Sequence, residues 1–317
     1  MGQKVNPNIL RLGVSKKWKT ELFEKKTKEF SYFTFLDLEI KSYIEKFLTN
    51  YGLILHNYKI HYSNSVINIL ISYVLPTNFK LNSTKKQQKL KKIKNSNELN
   101  KKFFSKQKNI IHLKTNNFYK IKKNYSKYFK NNNLELENKK IENCIKNFIK
   151  GLKLFKNINN SNILLNFECI NKNFNLNLKQ KKSLKKRLMS VQKFRSASFF
   201  KKGVNIMLLV VSTQNSANLL TKFIALELKK IKRHKFFLTF LKKTLSIFLQ
   251  SNFSKILGIK IKIKGRLNGA PRAKHKIIDI GHTPIQTIQN NLDYSESSIH
   301  NSNGSYGIKV YIIYKKI

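Results

Sequence analysis

Lysine and arginine side chains recur through residues 259–276, and their ammonium and guanidinium groups are suited to binding phosphate. The segment begins with a strict alternation of three isoleucines and three lysines, namely Ile259, Ile261 and Ile263 against Lys260, Lys262 and Lys264. This period predicts a strand that buries its isoleucine face. Because a solvated strand face usually mixes charges of both signs, the lysine face is either an unusual solvated surface or a binding surface for an anion.

The charge of the whole chain favours an anionic partner of large size. The 317 residues hold 64 Lys+Arg and 15 Asp+Glu, which gives a formal net charge of +49. A free protein with this charge would repel itself strongly, so we expect it to bind nucleic acid or an anionic membrane. Aromatic residues at 12% and apolar residues at 41% argue against a wholly disordered basic tail.

Neither a membrane span nor a targeting segment is predicted. The windows 60–79 and 204–221 carry no charged side chain, but polar residues interrupt both of them. The N-terminal sequence MGQKVNPNILRLG lacks the apolar core of a signal peptide and the arginine- and serine-rich composition of a presequence. We therefore expect the chain to act in the compartment where it is made.

No group of residues predicts catalysis or metal binding. Cys144 and Cys169 are widely spaced and far from any histidine pair, which excludes a disulfide framework and a cysteine-based zinc site. The few acidic residues are scattered, and no phosphate-binding loop lies between a strand and a helix. The sequence GSYG at 304–307 falls in a predicted hairpin, so we interpret it as turn geometry. The chain is predicted to be no enzyme and to have no cofactor, catalytic residue or metal site.

The elements that must position the basic residues can be predicted from periodicity. Residues 37–50 predict an amphipathic helix with Asp37 as its N-cap. Two strands are predicted at 53–62 and 66–74, and the apolar run 204–211 predicts a third, buried strand.

The C-terminal third of the chain predicts helices followed by a sheet. Apolar stripes within 220–231 and 237–248 predict two consecutive helices, with the basic cluster 232–235 at their junction. The remaining predicted elements are a strand at 275–281, a short helix begun by Thr283 and Pro284, and a hairpin that turns at Asn303 and Gly304.

Both ends of the chain resemble the universal small-subunit ribosomal protein number three family. The N-terminal resemblance covers roughly residues 1–76, and the C-terminal one runs from Gly258 to about Tyr294 and resumes at Tyr306. The residues that carry it are Pro7, Arg11, Leu12, Gly13, Pro76, Gly265, Arg266, Leu267, Gly269, Ala270, Gly281, Pro284, Asp293, Tyr294 and Gly307.

The resemblance implies an α/β fold class. It implies a degenerate type II KH-type domain followed by a C-terminal α/β domain with a mixed or antiparallel sheet. We expect residues 1–36 to form an N-terminal RNA-contacting segment and 37–212 a KH-like domain interrupted by a basic insertion at about 77–203. Residues 213–317 would form the C-terminal ribosomal domain.

The resemblance also implies RNA-binding residues. Binding of small-subunit ribosomal RNA is expected at Gln3, Lys4, Arg11, Lys260, Lys262, Lys264, Arg266, Arg272 and Lys274. The family's paired arginines near the messenger RNA entrance fall on Leu238 and Thr239, which are uncharged. The basic role there passes to Arg233, Lys235, Lys242 and Lys243. Where the family has its G-x-x-G clamp, this chain has Leu81-Asn82-Ser83-Thr84, which lacks both clamp glycines.

The insertion at 77–203 carries 34 Lys+Arg against 5 Asp+Glu. Repulsion and chain entropy oppose its condensation without an anion. We expect residues 77–135 to run as an irregular arm over ribosomal RNA or neighbouring proteins. Residues 138–202 are expected to contain helices that complete the domain and cover the third strand.

The sequence thus predicts a structural constituent of the small-subunit head, with ribosomal RNA, messenger RNA and neighbouring head proteins as partners and no homo-oligomer. The bias towards Lys, Asn, Ile, Phe and Tyr suggests A+T-rich organellar DNA. We assign the chain to the mitochondrial matrix and its ribosome, encoded in the organelle. The alternatives are a plastid version of the same protein, a stand-alone RNA-binding maturation factor and a membrane-surface protein.

Overall fold

The computed structural model describes residues 5–24, 26, 29–63, 66–76, 110–112, 144–152, 162–173, 176–271, 274–301 and 304–315. The chain in these ranges forms two β-sheets, each covered by helices, as the α/β prediction requires. The predicted domain boundaries at 36 and 212 stay predictions.

The first sheet contains the predicted strand pair and has the strand order β1-β2-β3-β5-β4. Its strands are β1 (Thr20–Glu21), β2 (Ile54–Tyr62), β3 (Val66–Val74), β4 (Ile110–His112) and β5 (Asn162–Cys169). Strands β2 and β3 are antiparallel, whereas β3 and β5 are parallel. Just beyond this parallel pair, the Asn171 side chain donates to the Leu75 carbonyl at 2.6 Å and accepts from the Leu75 amide at 3.3 Å.

Two helices cover one face of the first sheet. Helix α1 spans Glu29–Asn50 and buries Leu36, Ile40, Ile44 and Leu48 at helical spacing. Helical residues 144–152, here α2, add Cys144, Phe148, Ile149 and Leu152 to the same core. Phe148 is fully buried, and its ring stacks on that of Tyr43 from α1 with the ring centroids 5.2 Å apart.

The second sheet is antiparallel throughout and has the strand order β7-β6-β9-β8. Its strands are β6 (Ile256–Lys264), β7 (His275–Gly281), β8 (Leu292–Asn301) and β9 (Gly304–Tyr314). The predicted alternation in β6 is confirmed, because Ile259, Ile261 and Ile263 are each at most 1% exposed. The lysines between them point to the opposite face.

Between the first and second sheets in sequence, a single helical turn at Ile170–Asn173 is followed by four longer helices. They are α3 (Leu178–Leu188), α4 (Phe199–Ser212), α5 (Ala217–Lys230) and α6 (His234–Leu249), with a 3-10 helix at Met189–Phe194 after α3. The predicted helix pair is therefore confirmed as α5 and α6. Their apolar stripes share one core with α4 and with the isoleucines of β6. Asp293 of β8 fixes the start of α5, because its Oδ2 accepts from the Ala217 amide at 2.8 Å.

The third strand predicted at 204–211 is wrong, because these residues belong to α4. Every residue from Gly203 to Ser212 is buried. A run that is apolar on all sides shows neither the strand period nor the helical period, so its sequence fits both structures. The strand paired in parallel with β3 is instead β5, and α1 and α2 cover it.

Two predicted helix starts are also wrong. Helix α1 begins at Glu29, so Asp37 is an interior residue, and its Oδ2 accepts from the Thr20 hydroxyl at 3.0 Å. No helix follows Thr283 and Pro284. The Thr283 hydroxyl donates to Asp279 Oδ1 at 3.0 Å, and the carbonyls of the following residues bind a distant arginine described below.

The insertion prediction is confirmed where the chain is described between 138 and 202, since α2 and α3 are helical there. Apart from residues 110–112, the predicted arm at 77–135 lies outside the described residues, as does the Leu81–Thr84 segment. Among the helices that are described, none has the length and apolar content that crossing a membrane requires.

Candidate nucleic-acid interface

The outer face of the second sheet carries the lysines of β6 beside side chains from both neighbouring strands. Pairing places Lys260 opposite Asp279, and their side chains form an ion pair with Nζ and Oδ2 2.8 Å apart. Lys309 lies opposite Lys262, but it is paired with Glu296 at 3.3 Å. Cross-strand acids therefore neutralise part of a face that the sequence predicted to be wholly cationic.

Lys262 and Lys264 keep their charge available on this face, since none of the ion pairs found among the described residues involves them. Lys264 is exposed at the end of β6, where the chain enters the loop that carries exposed Arg266. Lys274, also exposed, returns the chain to β7. Arg272 lies outside the described residues. These cations form one basic edge of the sheet, defined here by Lys262, Lys264, Arg266 and Lys274.

Glycines give the loop after β6 its shape. Gly265 has φ +131° and Gly269 has φ +78°, both in the region that glycine adopts without a steric penalty. A Cβ on Gly265 would lie 2.6 Å from Tyr306 Cδ1 and 2.7 Å from the Ser305 carbonyl oxygen. The backbone of this loop can therefore pack against β9 only without a side chain at position 265.

Arg11 has a different role from the RNA contact predicted for it. Its side chain is 1% exposed and donates to three carbonyls, through Nη1 to Pro7 and through Nη2 to Ile285 and Thr287, each at 2.9 Å. A guanidinium enclosed in this way cannot reach a phosphate. The burial of Arg11 depends on residues far along the chain, so no local sequence pattern could have predicted this role. Gln3 and Lys4 lie outside the described residues.

The four residues predicted at the messenger RNA entrance lie together at the start and along the outward face of α6. Arg233, Lys235, Lys242 and Lys243 are all exposed. The start of the helix is fixed by Asn268, whose Oδ1 accepts from the His234 amide at 3.2 Å. Asn268 holds a left-handed conformation with φ +54°, which asparagine tolerates better than most residues.

Helix α3 lies within 138–202, where helices were predicted, but the sequence predicted no binding residue on it. Its eleven residues include six Lys or Arg and no acid. Leu184 is its buried anchor, and Arg187 donates through Nη1 to the Gln250 carbonyl at 3.0 Å, just beyond the end of α6. Leu184 and the partly buried Leu188 hold this highly charged helix against the core. The helix thus extends the basic face of α6.

Lys193 joins the two helices of this basic face. The nearby side chain of Lys243 lowers the pKa of Lys193. Two ammonium groups this close favour an anion bound between them. The α3–α6 face is defined here as the exposed cations of α3 together with Lys193, Lys242 and Lys243.

Catalytic chemistry finds no support in the part of the chain that is described. No three His, Cys, Asp or Glu side chains there are grouped so as to hold a metal ion. Cys144 and Cys169 are buried free thiols, and burial raises the pKa of Cys144 to about 11. A thiol with a raised pKa is a poor nucleophile.

Comparison with known proteins identifies the C-terminal part of the chain. Residues 229–312 match the family described as "Ribosomal protein S3, C-terminal domain". The chain is similar to the small ribosomal subunit protein uS3c of Morus indica, with 29% identity over 184 residues, or 56% of this chain and 82% of the relative. The corresponding protein of Guillardia theta is 32% identical over 115 residues, or 35% of this chain and 50% of the relative.

A third relative, the uS3c protein of Cyanidium caldarium, is 49% identical over 59 residues, which are 19% of this chain and 28% of that protein. The matches to the Guillardia and Cyanidium proteins thus span half of their length or less.

The mitochondrial assignment is wrong. The relatives in the comparison carry the name uS3c, the plastid form, and so favour the plastid alternative. The A+T-rich bias on which we based the mitochondrial assignment does not distinguish one organellar genome from another. The match to a ribosomal protein domain agrees with the expectation that the chain is not an enzyme. The matched C-terminal domain and the uS3c relatives, which align with up to 56% of this chain, together support the ribosomal protein S3 family.

Proposed function

We propose that the chain is a structural constituent of the small subunit of a plastid ribosome, that it binds ribosomal RNA, and that it helps to line the messenger RNA entrance. The observation that carries the proposal is the grouping of many described cations on two surfaces. These are the basic edge of the second sheet and the α3–α6 face. Both lie on elements whose apolar sides are buried in a shared core.

The basic edge is the proposed site for ribosomal RNA. Lys262, Lys264, Arg266 and Lys274 present ammonium and guanidinium groups from rigid β-strands and a short loop. Such groups bind phosphate and fix the position of a protein without reading base sequence. That property suits a permanent site in an assembled particle. We retain Gln3, Lys4 and Arg272 as proposed contacts, and we leave out Arg11.

The start and outward face of α6 form the proposed messenger RNA entrance. Arg233 and Lys235 lie at the first turn, and Lys242 and Lys243 lie two turns further along the same side. A row of cations at helical spacing can follow a phosphate backbone. The apolar side of α6 is anchored by Phe237, Phe240, Leu241 and other buried residues, so the row is held firmly.

Exposed apolar side chains support the proposal that the chain contacts other proteins in the subunit. Trp18, Phe23, Phe35 and Leu38 are 58–85% exposed on the N-terminal segment and α1. Surfaces of this kind mark contacts with other proteins. We also propose that the first sheet with α1 and α2 is the KH-type domain.

Co-sedimentation with small subunits in high salt tests the main proposal. We expect the chain to remain with the subunit, because an assembled ribosomal protein is held by many contacts, whereas a stand-alone factor bound by charge alone is released. Release from every subunit at high salt would contradict a structural role.

The entrance assignment has its own test. We expect subunits with Lys242→Ala and Lys243→Ala to assemble normally but to translate structured messages less well than unstructured ones. Exposed Lys46 and Lys59, on α1 and β2, provide the matched control when both are replaced by Ala. Equal translation of both messages by the Lys242/Lys243 variant would contradict the assignment.

A further inference from the structure

An open groove at the start of α6 combines an aromatic ring with cations and an amide. It has a volume of about 830 Å³ and is lined by Lys232, Arg233, Lys235, Phe236, Thr239 and Asn268. We propose that this groove binds one unpaired base of single-stranded RNA, stacked on the Phe236 ring. The inference rests on the proposed messenger RNA entrance, and it names the part of the message that the site would contact.

The Phe236 ring is held in place on one side and open on the other. Its centroid lies 4.7 Å from that of Phe194 and 6.1 Å from that of Phe199, in tilted and edge-to-face contacts. The side chain nevertheless remains 41% exposed. Because Phe194 and Phe199 are at most 3% exposed, the ring is fixed by core residues and presents a rigid apolar surface to the groove. A fixed ring loses little entropy when a base stacks on it.

The surroundings of the ring favour RNA over a protein partner. Lys232, Arg233 and Lys235 are exposed around it, and no other exposed large apolar side chain lines the described groove. A protein-docking patch would continue as an apolar surface. A ring flanked by cations instead suits single-stranded RNA, because a base can stack on the ring while the phosphates bind the neighbouring cations.

Asn268 supplies a hydrogen-bonding group at the edge of the groove. Its Oδ1 accepts from the His234 amide, which fixes the orientation of the side-chain amide. The Nδ2 group is then the end left for a ligand, and as a donor it suits the carbonyl or ring nitrogen of a base. Since base edges and faces in a duplex are already paired and stacked, this combination selects an unpaired nucleotide.

Photochemical cross-linking tests the proposal directly. The purified full chain would be irradiated with a short single-stranded RNA that contains 5-iodouridine, a base analogue that cross-links to stacked aromatic side chains, and the peptides would be mapped by mass spectrometry. We expect a cross-link at Phe236. Phe236→Leu should abolish it and weaken binding of the single strand by about tenfold, with duplex RNA of the same length bound unchanged. Phe236→Tyr should keep both properties.

Matched controls separate this inference from the proposed function. Phe35→Leu removes another aromatic side chain, 58% exposed on α1, and should change neither the cross-link nor the affinity. An equal loss of single-strand and duplex binding by Phe236→Leu, or a cross-link pattern without Phe236, would overturn the stacking site. If the Lys242→Ala and Lys243→Ala variant still impairs structured messages in that case, the entrance assignment stands without the base site.

Discussion

The Nη2 atom of Arg11 lies 2.9 Å from the carbonyl oxygen of Ile285, 274 residues further along the chain. This contact and the one to Thr287 dock the N-terminal segment on the loop before β8. We expect Arg11→Leu to lower the free energy of unfolding by about 3 kcal/mol, since it leaves buried carbonyls without a donor. Urea denaturation followed by the fluorescence of Trp18, the one tryptophan in the sequence, measures the change.

The same variant separates a structural role for Arg11 from an RNA contact. Because the side chain is buried, the salt dependence of RNA binding should not change. Lys17→Ala, an exposed change six residues away, serves as the control for stability. A variant that stays stable but loses about one unit of the log–log salt slope would restore Arg11 to the RNA-binding residues.

Gly265 is expected to tolerate no side chain. Gly265→Ala combines a positive φ with Cβ contacts below 3 Å to Tyr306 and Ser305. We predict a loss of about 2 kcal/mol in the free energy of unfolding. Gly307→Ala is the matched control, because no atom lies within 4 Å of its added Cβ and its φ is not positive. Equal thermal stability of the two variants would contradict the close packing of the loop on β9.

The burial of His56 predicts that the free energy of unfolding depends on pH. Burial lowers its pKa to about 4 from 6.5. Between these values the unfolded chain binds a proton that the folded chain does not, so the free energy of unfolding should fall as the pH falls through this window. The full contribution is about 3 kcal/mol. His56→Asn should flatten the profile measured by thermal denaturation at pH 7 and pH 5.

Exposed His61 on the same strand provides the comparison for His56. His61→Asn should leave the pH profile of the wild-type chain in place. If His56→Asn and the wild-type chain lose stability equally on acidification, the buried histidine is not the cause.

The α3–α6 face should contribute to the salt dependence of RNA binding. Replacing Lys182, Lys186 and Lys193 by Gln removes three of its cations. We expect the slope of log affinity against log salt to become shallower by about 2, since each phosphate contact contributes 0.7 to 0.9. The same change at exposed Lys46, Lys59 and Lys150, around the first sheet, is the control. Equal slopes for the two triple variants would exclude a specific role for the face.

Periodicity predicted the elements that bury one face and missed those that do not. The strands β2, β3 and β6 and the helices α5 and α6 each carry a single apolar stripe, and each lies close to its predicted place. Helix α4 has no polar face, so its pattern could not distinguish a helix from a strand. Helix α3 is held by Leu184 against a core that no local sequence describes.

The candidate site depended still more on long-range contacts. Lys262 and Lys264 are available for binding, whereas Lys260 is paired. This difference follows from the strand register, which places Asp279 of β7 opposite Lys260. The Phe236 ring is partly exposed, whereas Phe237 is fully buried. This difference depends on how Phe194 and Phe199 pack. A single sequence shows the residue types but not these relationships.

The paired hydrogen bonds between Asn171 and Leu75 explain how the fold tolerates variation in length. They join residues 96 positions apart and lie next to the parallel pair of β3 and β5. The entropy of closing a loop grows only with the logarithm of its length, so doubling the intervening segment costs about 0.6 kcal/mol. The two hydrogen bonds between the Asn171 side chain and the Leu75 backbone offset a free-energy cost of this size. A change in length between these two positions is therefore expected to cost little while β3 and β5 keep their register.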